Sequence, residues 1–106
     1  MQLLLTQALR QQLPKLGHGD ESGLGLEAKA IAKFFMSNGR WVWYASEFDG
    51  EDLFYGFVFG NVPELGYFRL SELEQVRGRH GLPVERDGSF TPLTLHQVMA
   101  LHPFYF

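Results

Sequence analysis

The 106-residue sequence contains no cysteine. Disulfides, zinc–thiolate sites and cysteine nucleophiles are therefore excluded. Small secreted domains commonly depend on disulfides, so their lack points to the cytoplasm. Leu3–Leu5 is too short an apolar run for the core of a signal peptide, and no cationic region precedes it. No stretch approaches the ~20 apolar residues of a membrane-spanning helix, and no membrane association is expected. Positive charge is scarce as well: nine Lys and Arg against twelve Asp and Glu leave a formal net charge of −3. Nucleic-acid binders carry a basic footprint, so the overall charge disfavours that role and leaves only a local patch. His18, His80, His96 and His102 have no metal-ligand spacing, and no serine sits in a G-x-S-x-G elbow. The glycines of Gly17–Gly25 do not follow a phosphate-binding spacing, and the segment reads as a flexible loop. No cofactor is expected.

What the chain has in quantity is aromatic residues: ten Phe, four Tyr and two Trp, 15% of the sequence. Rings of that size dominate a core or an interface. The length fits one domain over residues 1–106 with a modest hydrophobic core. Thr6 caps a short helix that Pro14 stops, with Leu5, Leu9 and Leu13 on one stripe. Asn38-Gly39 and Asp49-Gly50 are hairpin dipeptides around Trp41–Phe48. They predict strands over Ala28–Met36, Trp41–Phe48 and Leu53–Gly60, then a short one over Gly66–Leu70. Ser71 and Glu74 read as a capping box opening a helix to about Arg77. Pro83–Arg86 and Ser89–Thr91 read as a small hairpin. Thr94 and Gln97 form a second capping box before a helix over Leu95–Leu101. The fold class is α+β: an antiparallel meander sheet with three short helices packed on it.

Turn geometry sets the register. The first hairpin pairs Phe34 with Trp43 and Lys33 with Tyr44. The second, with a four-residue loop, pairs Phe48 with Leu53, Tyr44 with Phe57 and Ala45 with Gly56. Alternation then sorts the side chains. Phe34, Trp41, Trp43, Phe54 and Val58 share one face, with Gly56 and Gly60 leaving room for rings. Val42, Tyr44, Phe48, Tyr55, Phe57 and Phe59 share the other. Two apolar faces are unusual for an antiparallel sheet. Helices and loops cover both, or one face is a binding platform.

Three constellations bear on chemistry. Glu47, Asp49, Glu51 and Asp52 place oxygen ligands around the second hairpin, where they would hold Mg²⁺ or Ca²⁺ in a small metal-dependent hydrolase. Their spacing is not that of an EF-hand, and solvated turn residues are the plainer reading. Arg77, Arg79 and Arg86 lie in a glycine-containing segment suited to an anion, although Arg77 and Arg79 also complement the end of the preceding helix. Tyr44, Tyr55 and Phe57, with Lys33 and these arginines, would form a stacking surface for single-stranded nucleic acid. The aromatic end, Phe104-Tyr105-Phe106, either folds back on the core or meets a partner.

Several strings together resemble a known family. They are Trp43-Tyr44, Glu47–Phe54, Glu64–Phe68, Ser71–Glu74 and Gly81–Asp87, with Leu3–Thr6 and Thr91–Leu93 also fitting. The chain resembles an uncharacterised bacterial domain-of-unknown-function family of about this length, often carried on plasmids and integrative elements. The resemblance implies a bacterial cytoplasmic domain with a role in mobile-element biology, such as evading a host defence. The expected function is a non-catalytic binding or regulatory module acting through a protein partner. The rivals are the metal-dependent hydrolase and the single-stranded nucleic-acid binder.

Overall fold

A computed structural model describes residues 3–17, 25–37 and 39–102, apart from the side chain of Arg79. His18, most of the glycine-rich loop, Asn38 and the aromatic end Pro103–Phe106 lie outside the described residues. The chain runs α1 (Gln7–Gln12), β1 (Lys29–Ala30), β2 (Ala32–Met36), β3 (Val42–Phe48), β4 (Leu53–Phe59) and β5 (Pro63–Arg69). It continues through α2 (Leu70–Gln75), β6 (Val84–Arg86), β7 (Leu93–Thr94) and α3 (Leu95–Ala100). Five strands form an antiparallel sheet in the order β5-β4-β3-β2-β6, and β1 pairs with β7 in a second, two-stranded sheet. The fold is α+β, as the hairpin and capping signals imply. No helix of the described residues is long and apolar enough to cross a membrane.

The first hairpin has the expected register, with Phe34 opposite Trp43 and Lys33 opposite Tyr44. The second differs. Tyr44 opposes Phe57 and Ala45 opposes Gly56, but Glu47 then opposes Tyr55 and Phe48 opposes Phe54, with a bulge between Ala45 and Glu47. The bulged Ser46 donates its hydroxyl to the carbonyl of Lys29 at 2.9 Å. Phe48 therefore does not face Leu53, and its ring moves to the opposite face from the one expected, because one extra residue reverses the alternation. At the turn, Gly50 takes a φ of +91°, which glycine adopts without strain.

The first strand is also shorter than expected. It breaks at Ile31, so β1 leaves the main sheet to pair with β7. The hairpin expected around Asp87-Gly88 does not form. Asp87 instead accepts from the amide and hydroxyl of Ser89, and Phe90 goes into the core against Tyr44 at 5.7 Å. β6 pairs with β2.

Both faces are covered. The first buries Phe34, Trp43, Phe48, Phe54, Val58 and Phe68 beneath Leu4, Leu5 and Leu13 of the N-terminal segment and Leu70 and Leu73 of α2. The second buries Tyr44 and Phe57 beneath Ala28, Ala30, Leu95 and Val98. Each helix has only six residues. Helices this short do not persist alone, and burial of about 1.5–3 kcal/mol per large apolar side chain holds them. Thr6 caps α1 by accepting from the Leu9 amide at 3.2 Å. Thr94 and Gln97 form the reciprocal box of α3 at 3.0 and 2.9 Å. For α2 the expected box is displaced: Arg69 is the N-cap, its amide donates to Glu72 at 3.0 Å, and Ser71 is engaged elsewhere.

Candidate functional site

The acidic hairpin does not gather its carboxylates. One oxygen of Asp49 accepts the amides of Glu51, Asp52 and Leu53 at 2.8, 2.8 and 3.0 Å. These bonds, Leu53's foremost, hold the Asp49 carboxyl below its ordinary pKa. Asp52 accepts the hydroxyl of Ser71 at 2.7 Å and its amide at 2.8 Å, and the hydroxyl bond is the main reason its pKa is also lowered. Glu51 is exposed. Glu47 is buried on the second face, where it accepts the Gly17 amide at 2.8 Å. Among the described residues no group of three or more His, Asp or Glu side chains is placed to hold a metal ion. Three of the four act on the backbone: Glu47 holds the Gly17 amide, Asp49 closes the turn and Asp52 anchors the start of α2.

The aromatic platform is absent for a different reason. Tyr44 and Phe57 are each 1% exposed, so bases have no access to their rings. Tyr55 is half-buried and meets Tyr67 edge-on at 5.1 Å. The arginines also have backbone partners. Arg77 donates to the carbonyls of Glu74 and Val76 at 2.8 and 2.9 Å, at the end of α2. Arg86 donates to the carbonyls of Leu3 and Leu4. They thus tie down different segments. The side chain of Arg79 lies outside the described residues; its backbone opens a tight turn over Arg79–Gly81.

A concave surface lies elsewhere, beside α2. Met36, Trp41, Trp43, Phe68, Glu72, Leu73 and Val76 line a hollow of about 260 Å³. Leu73 also belongs to a second hollow of about 670 Å³, with Leu3, Leu4, Glu74, Arg77, Pro83, Val84 and Glu85. Leu73 lines both hollows, and the two together are called the groove beside α2. Its floor is apolar: Leu73 and Trp43 belong to the core, and Trp41 stacks on Trp43 with ring centroids 5.8 Å apart. Trp41 is 37% exposed and Leu3 63%. Three carboxylates, Glu72, Glu74 and Glu85, stand on its walls against one guanidinium, Arg77.

A family model described as "Protein of unknown function (DUF2958)" matches residues 4–100. The chain belongs to this family. No curated protein and no solved structure matches it. The matched span runs from before α1 to the end of α3 and takes in every groove residue except Leu3. The resemblance to an uncharacterised domain family of about this length is thus borne out.

The groove was not legible in the sequence. Its walls come from the N-terminal segment, β2, β3, β5, α2 and β6, and no spacing rule joins such distant segments. Trp41 gave the one available signal, a large ring beside a turn at the end of a strand. Its partner in space is Gly60, where an added Cβ would lie 2.3 Å from the Trp41 ring. That close approach is the room for rings expected at Gly60.

Proposed function

We propose that this chain is a non-catalytic binding module that acts through a protein partner, and that the groove beside α2 receives an apolar, basic segment of that partner. The observation that supports this is the groove's composition: an apolar floor with a half-exposed Trp41, walled by Glu72, Glu74 and Glu85. Aromatic anchors in desolvated hollows supply most of the energy of protein interfaces. Carboxylates at the rim speed encounter with a basic partner and reject acidic ones. The net charge of −3 acts in the same direction. Resemblance to bacterial domains carried on plasmids and integrative elements extends the reading: the module works in the cytoplasm, and its partner belongs to mobile-element biology or to a host defence.

The test is capture of partners from extract of the native host with the tagged protein, with and without nuclease, read by mass spectrometry. A stoichiometric, nuclease-resistant protein is expected, retained by Tyr67→Lys on β5 and lost at least tenfold with Trp41→Ser. Loss on nuclease treatment, or capture indifferent to Trp41→Ser, overturns the proposal.

A further inference from the structure

The five-stranded sheet ends in two unlike edges. β6 has three residues, of which Glu85 and Arg86 are charged, and Asp87 follows. Short charged edges of this kind resist pairing with another chain. β5 has seven residues, Pro63–Arg69, and pairs with β4 without interruption from Leu53↔Arg69 to Phe59↔Pro63. It has no bulge and no lysine. On it Leu65 is 39% and Tyr67 64% exposed.

Hydrogen-bond parity determines what this edge offers. The Gly60 amide donates to the Val62 carbonyl at 3.4 Å, and the Leu70 amide to the Asp52 carbonyl at 2.8 Å. Both bonds belong to the β4–β5 register, so the even-numbered residues of β5 turn their amides and carbonyls to β4. The odd-numbered residues turn theirs outward. Pro63 has no amide proton. The Arg69 amide is taken by the Glu72 carboxylate. The outward donors are therefore the amides of Leu65 and Tyr67, the two residues that also expose apolar side chains. Among the described residues nothing occupies them.

We infer that β5 is a self-pairing edge and that a second copy of this chain adds to it, antiparallel, about a two-fold axis at Gly66. Gly66 is the midpoint of Pro63–Arg69, so a two-fold there overlaps all seven residues, and shifted two-folds overlap fewer. Leu65 of one copy then faces Tyr67 of the other, twice. Each pair exchanges two backbone hydrogen bonds, which uses every outward donor, and brings the two exposed apolar side chains together. Pro63 meets Arg69 at each end, where neither has an amide to offer. At the centre Gly66 faces Gly66 as a narrow, non-hydrogen-bonded pair, about 4.5 Å between Cα atoms. The open space at Gly66, where an added Cβ would meet nothing within 4 Å, admits that approach. The product is one continuous ten-stranded sheet.

The chain has no cysteine, so a single introduced thiol reports the axis directly. A Gly66→Cys pair sits at a Cα spacing that a disulfide accepts. Under mild oxidation Gly66→Cys is expected to link to itself at least tenfold faster than Glu64→Cys, whose partner across the axis is Phe68. Mass measured by light scattering is expected to rise with concentration towards twice 12.1 kDa. Leu65→Pro removes an outward donor and leaves the β4–β5 ladder intact, and Tyr67→Lys charges the edge. Each is expected to weaken the dimer at least tenfold with an unchanged far-ultraviolet circular dichroism spectrum. A monomer up to about 1 mM, beyond which self-association is negligible, overturns the inference. So does equal linking of Gly66→Cys and Glu64→Cys, or a dimer indifferent to both edge variants.

Discussion

The two faces of the main sheet are both packed with aromatic residues, but they are built differently. On the first, the Phe54 ring meets Phe48, Phe34 and Phe68 at centroid distances of 4.6, 5.7 and 5.2 Å. The buried polar residues among those described, Ser46 and Glu47, lie on the other side, with Ala28 and Leu95. The second face also carries a stack, Tyr44 on Phe57 at 6.2 Å, but polar groups run along it. The Tyr44 hydroxyl meets His102 at 2.6 Å, Ser46 bonds Lys29, and Glu47 bonds Gly17. Rings with nothing polar among them give stability without direction. The polar contacts fix which segments cover the second face and in what order, since each buried polar group needs one particular partner. A high aromatic content is thus compatible with a sheet that buries most of its rings on its two faces and exposes Tyr67 at one edge.

If the first face is the main source of stability, removing its central ring is the largest single loss. Phe54 is fully buried. Phe54→Ala is expected to cost about 3–5 kcal/mol in a urea titration, the range for an aromatic ring deleted from a core. Val98, equally buried on the second face, loses two carbons on change to alanine and is expected to cost about 2 kcal/mol. Equal costs would erase the distinction between the faces.

A smaller effect tests the bulge that moves Phe48 from one face to the other. Gly56 and Gly66 are partners in the β4–β5 ladder. A Cβ on Gly56 would stand 1.8 Å from the Tyr44 carbonyl oxygen, just before the bulge, whereas one on Gly66 would meet nothing within 4 Å. The obstacle at Gly56 is backbone and yields only if β3 moves. Gly56→Ala is expected to cost about 3 kcal/mol, the upper part of the overpacking range. Gly66→Ala is expected to stay within about 0.5 kcal/mol of the parent. Thermal unfolding of the two variants side by side measures the contrast.

The bulge also marks where sequence reading stops. Pairing up to Tyr44↔Phe57 and Ala45↔Gly56 follows from the turn dipeptides and alternation. The shift after Ala45 does not, because it depends on a contact from Ser46 to Lys29, seventeen positions away. Caps made within four residues, those of Thr6 and of Thr94 with Gln97, were legible for the same reason that the first hairpin was. Ser71 was misread because its true partner, Asp52, lies across the hairpin. The candidate sites follow the same rule. The carboxylates and rings were visible as residue types, with a ligand and a structural role both open; Glu47, Asp49, Asp52, Tyr44 and Phe57 find their partners in the protein itself. The groove and the β5 edge depend on tertiary placement and hydrogen-bond parity, which composition does not carry.

The smallest effect expected isolates the polar contacts of the second face. Burial, reinforced by the negative charge of Asp87, pushes the Tyr44 phenol up to about 12. Burial, with Lys33 nearby, lowers the pKa of His102 from 6.5. The phenol therefore keeps its proton and pairs with a neutral imidazole, whose tautomer sets the direction of the bond. Tyr44→Phe leaves the Nε2 atom without that partner, at an expected cost of about 1–2 kcal/mol near neutral pH. The pH dependence carries a definite sign. In the unfolded chain His102 takes a proton near 6.5, and in the folded chain only at lower pH. Its contribution is thus complete above 6.5 and declines as pH falls from there towards the folded value. Asp49, Asp52 and Asp87, whose pKa values are lowered from 3.8, keep their contribution until pH falls below that value. Between about pH 5 and 6.5, then, His102 is the group among these that makes the protein less stable in acid. Urea midpoints of the parent should fall across this window. Those of Tyr44→Phe should fall less, because a neutral imidazole that has lost its phenol partner is less favoured over the protonated form. Parallel slopes would separate the two side chains energetically, and the second face would then owe its order to Ser46 and Glu47 alone.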